Sequence, residues 1–204
     1  MIGSAKSGRA ATYQDVLDAP AHVVAEIVTG DLFLSQRPGG PHAGATHRLN
    51  DELLPFRRPG GGGGGGGEPG WYFLFEPELH LGSDIVVPDL AAWRFARKPD
   101  EREAFFTTPP DWVCETLSRS TEKLDRLRKL PTYAKASVSH AWLLDPRTHT
   151  LEVHGLAGNR YELVQMFDQG DLIRARPFDD IELTIAKIMG LPAHVGEAFV
   201  DYGR

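Results

Sequence analysis

The chain has 204 residues and a formal charge of −6, from 22 Lys and Arg against 28 Asp and Glu. Its 41% apolar and 25% charged content is an ordinary globular balance, which excludes a disordered chain, and its acidic excess argues against a protein that coats nucleic acid by bulk charge. The single cysteine, Cys114, excludes an internal disulfide framework and fits a reducing cytoplasm, while no apolar run approaches the ~18 residues that cross a bilayer.

The start, MIGSAKSGRAATYQDVL, is polar and lacks the apolar centre of a signal peptide. Thr12 to Asp18 reads as a short helix, with Thr12 as N-cap and Pro20 just past the end. HVVAEIV and DLFLSQ, joined at Thr29-Gly30-Asp31, read as a β-hairpin. His42 to Leu54 reads as a helix with Leu49, Leu53 and Leu54 as its apolar stripe and Pro55 as its end. Eight consecutive glycines, Gly60 to Gly67, carry no side chains to pack, so about 59–70 is expected to be a flexible loop within one domain spanning 1–204. A linker between two domains is the alternative.

WYFLFE, ELHL, IVVPDLAAW and WVCETL then read as strands, Ser120 to Ala136 as a charged helix, and HAWLLD, TLEVHGL and RYELVQMF as further strands. IAKIMGL and HVGEAFVDY close the chain as short helical pieces. The order predicts an α/β (α+β) domain with a central mixed sheet flanked by helices.

Three acids interrupt apolar strands. Period-2 alternation places Glu26 with Val24 and Val28, Asp89 with Val87 and Ala91, and Glu115 with Val113 and Leu117. A buried carboxylate needs a partner, whether a cation, a hydrogen-bond network or a metal. Pro88 cannot join a sheet ladder, so the strand is expected to bend or lie at an edge beside Asp89. From Arg119 to Lys135 there are six basic residues against Glu122 and Asp125. They form either a solvated helix face, in which Asp125 and Lys129 are an i,i+4 pair, or a basic rim for a phosphate backbone. Pro131 is expected to kink or interrupt the helix near Lys129. Cys114 and the four tryptophans read as core.

The segment CETLSRSTEKLDRLRKLPTYAKASVSHAWLLDP resembles the central signature of the Uma2-type endonucleases, through Glu115, Leu117-Ser118, Ser120-Thr121, Asp125, Lys129, Tyr133 and Trp142 to Pro146. VVPDLAAW is similar to that family's Val-x-Pro-Asp strand and AEIVTGDLFL to its opening hairpin. His47 with Leu49, Leu53 and Leu54 resembles its early His-bearing helix, and TLEVHGLAGNRYELV its closing hairpin. The likeness spans roughly Glu26 to Leu183. Ser137 stands where the family has Gly, and Arg119 where it often has Pro.

The resemblance implies a restriction-endonuclease-like fold and a variant PD-(D/E)xK centre that hydrolyses DNA with Mg²⁺ or Mn²⁺. In that centre Asp89 and Glu115 bind the metal, and Lys129, carried on the following helix, replaces a lysine at position 117. Glu26 orients Lys129 or completes the outer metal shell. His47, Arg119 and Lys123 are the expected substrate contacts. DNA is the implied partner, and cutting two strands favours a homodimer. The alternative is a catalytically silent nucleic-acid-binding or interaction protein. A two-carboxylate glycosidase would instead need an open aromatic cleft and no lysine beside its acids.

Overall fold

The computed structural model describes residues 9–37, 39–57 and 70–192, together with the backbone of 3–5. The glycine run and the HVGEAFVDY segment lie outside the described residues. A short strand, β1 (Gly3–Ala5), precedes helix α1 (Tyr13–Leu17). Thr12 is the N-cap as predicted, and its N–H and hydroxyl both donate to the Asp15 carboxylate, at 2.7 and 2.8 Å. The hairpin β2 (Val23–Val28) and β3 (Asp31–Gln36) follows. Thr29 and Gly30 take φ of +52° and +82°, the two left-handed residues that a tight two-residue hairpin requires.

Helix α2 (Gly40–Glu52) ends before Pro55, not at it, and Pro55 sits inside a separate 3₁₀ turn, Leu54–Arg57. Leu49 and Leu53 are buried as expected, whereas Leu54 is exposed, because the change of helix type after Glu52 turns it away from the stripe. Strands β4 (Trp71–Phe75) and β5 (Leu79–Leu81) come next. The predicted strand IVVPDLAAW is two strands, β6 (Asp84–Val86) and β7 (Leu90–Arg94), which belong to different sheets. Val87, Pro88 and Asp89 form the crossing between them, so the simple alternation predicted there is interrupted at the proline.

After β8 (Trp112–Thr116), the charged helix is one run of three parts: α3 (Glu122–Leu124), a π-helical turn (Asp125–Lys129) and α4 (Leu130–Lys135). Pro131 does not end the run, but regular α-helix is interrupted just before it, near Lys129, as expected. The Leu130 N–H reaches back five residues to the Asp125 carbonyl, and this wide turn accommodates the donor that Pro131 lacks. The described residues continue through β9 (His140–Asp145), β10 (Thr150–Ala157), β11 (Arg160–Phe167), β12 (Leu172–Ile173), β13 (Leu183–Thr184) and α5 (Ile185–Met189).

The larger sheet has the order β11-β10-β9-β8-β7-β4 and the smaller β1-β3-β2-β6-β5. Only the β8–β9 pair of the larger sheet is parallel, and the α3–α4 helix is its crossover. Alternation along β8 splits the core. Trp112 and Cys114 face one apolar cluster with α2 and α5, while Val113 and Leu117 face a second with Leu124, Leu130 and Tyr133. All four tryptophans are buried.

Ser137, just past α4, has φ +63°, a left-handed position that suits Gly. Ser137→Gly is expected to stabilise the protein by about 0.5–1 kcal/mol, raising its melting temperature by roughly 1–4 °C. A thermal melt checks this, and an unchanged or lower midpoint contradicts it.

Candidate active site

Two strand-borne acids, Glu26 and Glu115, and a helical one, Asp125, meet one lysine, with Asp89 beside Glu115. Glu26 projects from the middle of β2, and its Oε1 accepts the Val87 N–H at 2.8 Å. Asp89 lies at the end of the crossing segment, one residue before β7 pairs with β8 through Leu90 and Cys114. That register puts Asp89 beside Glu115, and the Asp89 Oδ2 accepts the Thr116 N–H at 2.7 Å. Glu115 shares its face of β8 with Val113 and Leu117, as the alternation predicts. These acids, with Lys129, line a cleft of about 200 Å³.

Lys129 is the hub. Its Nζ is 2.8 Å from Glu26 Oε1 and 2.9 Å from Glu115 Oε1, and it donates to the Val87 carbonyl at 3.0 Å. Asp125, four residues back, is 3.9 Å away. Tyr133, four residues on, is fully buried and donates its hydroxyl to Glu115 Oε1 at 2.5 Å. Asp125 and Lys129 are only 3% exposed, so they are not the solvated i,i+4 pair that their spacing allows. The sequence stripe Asp125–Lys129–Tyr133 is the signal for this inward face. The expected basic rim is largely spent elsewhere: Arg126 is held by Glu122 and Glu152, and Arg128 by the Thr29 hydroxyl.

The electrostatics follow from three acids sharing one ammonium, with Asp89 close beside them. Burial pushes the Glu115 carboxyl well above the usual carboxylate range, and Asp125, Asp89 and Glu26 reinforce this against the pull of Lys129. Burial, with Glu26 and Asp89 nearby, likewise pushes Asp125 up to about 7. Burial disfavours the charged form of Lys129, but its three acidic neighbours outweigh burial and hold it protonated. The phenol of Tyr133 is raised by burial and by Glu115.

His42 belongs to this site although the sequence assigns it no role. Its Nε2 is 3.3 Å from Asp89 Oδ2, and hydrogen bonding and charge from Asp89 outweigh burial to raise its pKa. Its position in the first turn of α2 carries no sequence signal, because only the packing of α2 on β8 brings it to Asp89. His47, the expected contact, is not in the acidic cleft. It is exposed, 3.4 Å from Asp51, and lines a neighbouring cleft with Phe75. Arg119 is exposed and lines a third cleft with Gly39, His42 and Ser118. Lys123 is exposed and lines none of these three clefts.

Among the described residues no group of three or more His, Cys, Asp and Glu side chains has the arrangement of a metal centre. The donor chemistry nevertheless fits a hard divalent cation. Asp89, just before β7, and Glu115, on β8, present carboxylates side by side, and each has one oxygen with no hydrogen bond among the described residues. The crowded acids around Glu115 hold its carboxyl towards the neutral form, and a divalent cation beside it would favour the charged, ligating form.

The sequence matches the Uma2 family, described as "Putative restriction endonuclease", over residues 10–186. The chain belongs to the Uma2 family. No curated protein matches it. Among solved structures it is similar to a protein from Anabaena variabilis ATCC 29413 described as "a putative nuclease belonging to DUF820". The TM-score is 0.68 at 20% identity, over 88% of this chain and 98% of that one. The restriction-endonuclease-like fold expected from sequence is thus shared, and Uma2 membership supports a nuclease-like function. No helix among the described residues is long and apolar enough to cross a membrane.

Proposed function

We propose that this Uma2 protein is a metal-dependent DNA endonuclease that hydrolyses phosphodiester bonds. The observation that carries the reading is the convergence of Glu26, Asp89, Glu115 and Lys129, from four separate elements, on one cleft. Asp89 and Glu115 would hold Mg²⁺ or Mn²⁺, the latter through the oxygen that Lys129 and Tyr133 leave open. When bound, the ion supplies an activated water and neutralises charge on the scissile phosphate. Lys129 supports charge developing at phosphorus, and Glu26 holds its ammonium in place. His42 steadies Asp89. Arg119 contacts a phosphate at the edge of the cleft, and Lys123 only the more distant backbone. The protein works as a single domain and as a homodimer in the cytoplasm.

One observation favours a second reading, a catalytically silent protein that binds nucleic acid or another partner. Lys129 is already tied by two short ion pairs, and no three-acid metal cluster is formed among the described residues. Incubation with plasmid DNA separates the two. Cleavage is expected with Mg²⁺ or Mn²⁺, and its loss with a chelator or with Asp89→Ala. No cleavage with any divalent ion, or cleavage that survives Asp89→Ala, removes the nuclease reading.

A further inference from the structure

A second cleft, of about 380 Å³, opens directly beside the acidic one and shares His42, Glu76 and Asp89 with it. Its other lining residues are Ala43, Thr46, His47 and Phe75. Phe75 is the last residue of β4, pairs with Leu90 and so stands one register position from Asp89. It is a large apolar side chain left 47% exposed. The His47 ring lies nearly parallel to it, with an interplanar angle of 25° and centroids 6.4 Å apart. The platform is fixed. Glu76 takes a φ of +43°, its N–H donates to the Asp89 carbonyl at 3.2 Å, and its carboxylate is held by Arg37 at 3.1 Å. A left-handed glutamate is strained, so these contacts must hold it, while the pairing of Phe75 with Leu90 keeps the ring in register with the acid.

Exposed, parallel aromatic rings at the mouth of a polar cleft suit a planar heterocycle. We infer that the Phe75–His47 cleft is a base-stacking subsite for an unpaired nucleobase of the strand whose phosphate lies at Asp89. This rests on the nuclease reading above. A base within a continuous duplex has both faces covered, so the subsite selects single-stranded, flapped or base-everted nucleic acid. His47, which the resemblance names as a substrate contact, here meets a base, in keeping with Asp51 beside it.

The test is anisotropy binding in Ca²⁺ of the full chain to three probes: a single-stranded oligonucleotide, the same strand with abasic sites, and the corresponding duplex. Phe75→Ala is expected to weaken single-strand binding roughly 5- to 150-fold, the range for one lost stacked base. Phe75→Trp should restore it, and abasic substitution should mimic Phe75→Ala. Duplex affinity should stay within about twofold, because a continuous duplex offers no unpaired base to the subsite. A thermal melt of Phe75→Ala matching wild type confirms that the fold is intact. Equal affinity for intact and abasic strands, indifference to Phe75, or no oligonucleotide binding at all overturns the subsite. Plasmid cleavage with Mg²⁺, read in parallel, separates the two ideas. Cleavage with indifference to Phe75 ends the subsite alone, whereas Phe75-dependent binding without cleavage ends the nuclease reading alone.

Discussion

Lys129→Met is expected to cost about 3–5 kcal/mol of stability and to abolish cleavage, because it strips the one ammonium from among Glu26, Glu115 and Asp125 and leaves their buried charge uncompensated. Denaturant melts in chelator check the first part. The loss depends on pH with a definite sign. Without the lysine, the acids hold protons in the folded state to higher pH than in the unfolded chain. Stability of the variant therefore falls as pH rises from about 4 towards 8, since the unfolded chain releases those protons first. The wild type carries a weaker form of the same slope through Asp125, whose folded value is about 7. A variant equally stable at pH 5 and pH 8, or as stable as wild type, would show that Lys129 does not neutralise this cluster.

Glu115→Gln should separate stability from activity. Cleavage is expected to drop roughly 10²- to 10³-fold, the scale of losing one group that stabilises developing charge. Stability in chelator at pH 8 should rise by about 1 kcal/mol. The Gln carbonyl still accepts from Tyr133 and Lys129, while one of four crowded charges disappears. The folded-state value of Glu115 is raised, so the penalty it removes grows with pH above about 4, and the gain should vanish in acid. A destabilised variant at pH 8 would mean that Glu115 is held by attraction alone.

Much of this was readable from the chain. The left-handed Thr29-Gly30 turn, the alternating faces of β8 and the order of elements come from local pattern, because each rests on neighbours within a few residues. Glu26, Asp89 and Glu115 were legible as acids interrupting apolar runs, whereas Lys129 was reached only through the family resemblance, its own spacing allowing an ordinary solvated pair with Asp125. The features that were not legible depend on tertiary packing. Nothing local tells His42 from His47, since both lie on α2 and only its seating on β8 decides which meets Asp89. The split of IVVPDLAAW between two sheets needed knowledge of which strands pair, although Pro88 marked the place. Leu54 was misplaced because the helix changed type after Glu52.

The π-helical turn sets the phase of everything on either side of it. One extra residue in a helix rotates the residues beyond it by about 100° relative to an uninterrupted 3.6-residue spiral. Deleting a single solvent-facing position there, such as Leu127, would restore the regular spiral. Asp125 and Lys129 would then stand three residues apart, still on one face of the helix but with a different relative aim. The spacing between the acid and the amine therefore sets how the ammonium is aimed, as much as their identities set its charge balance.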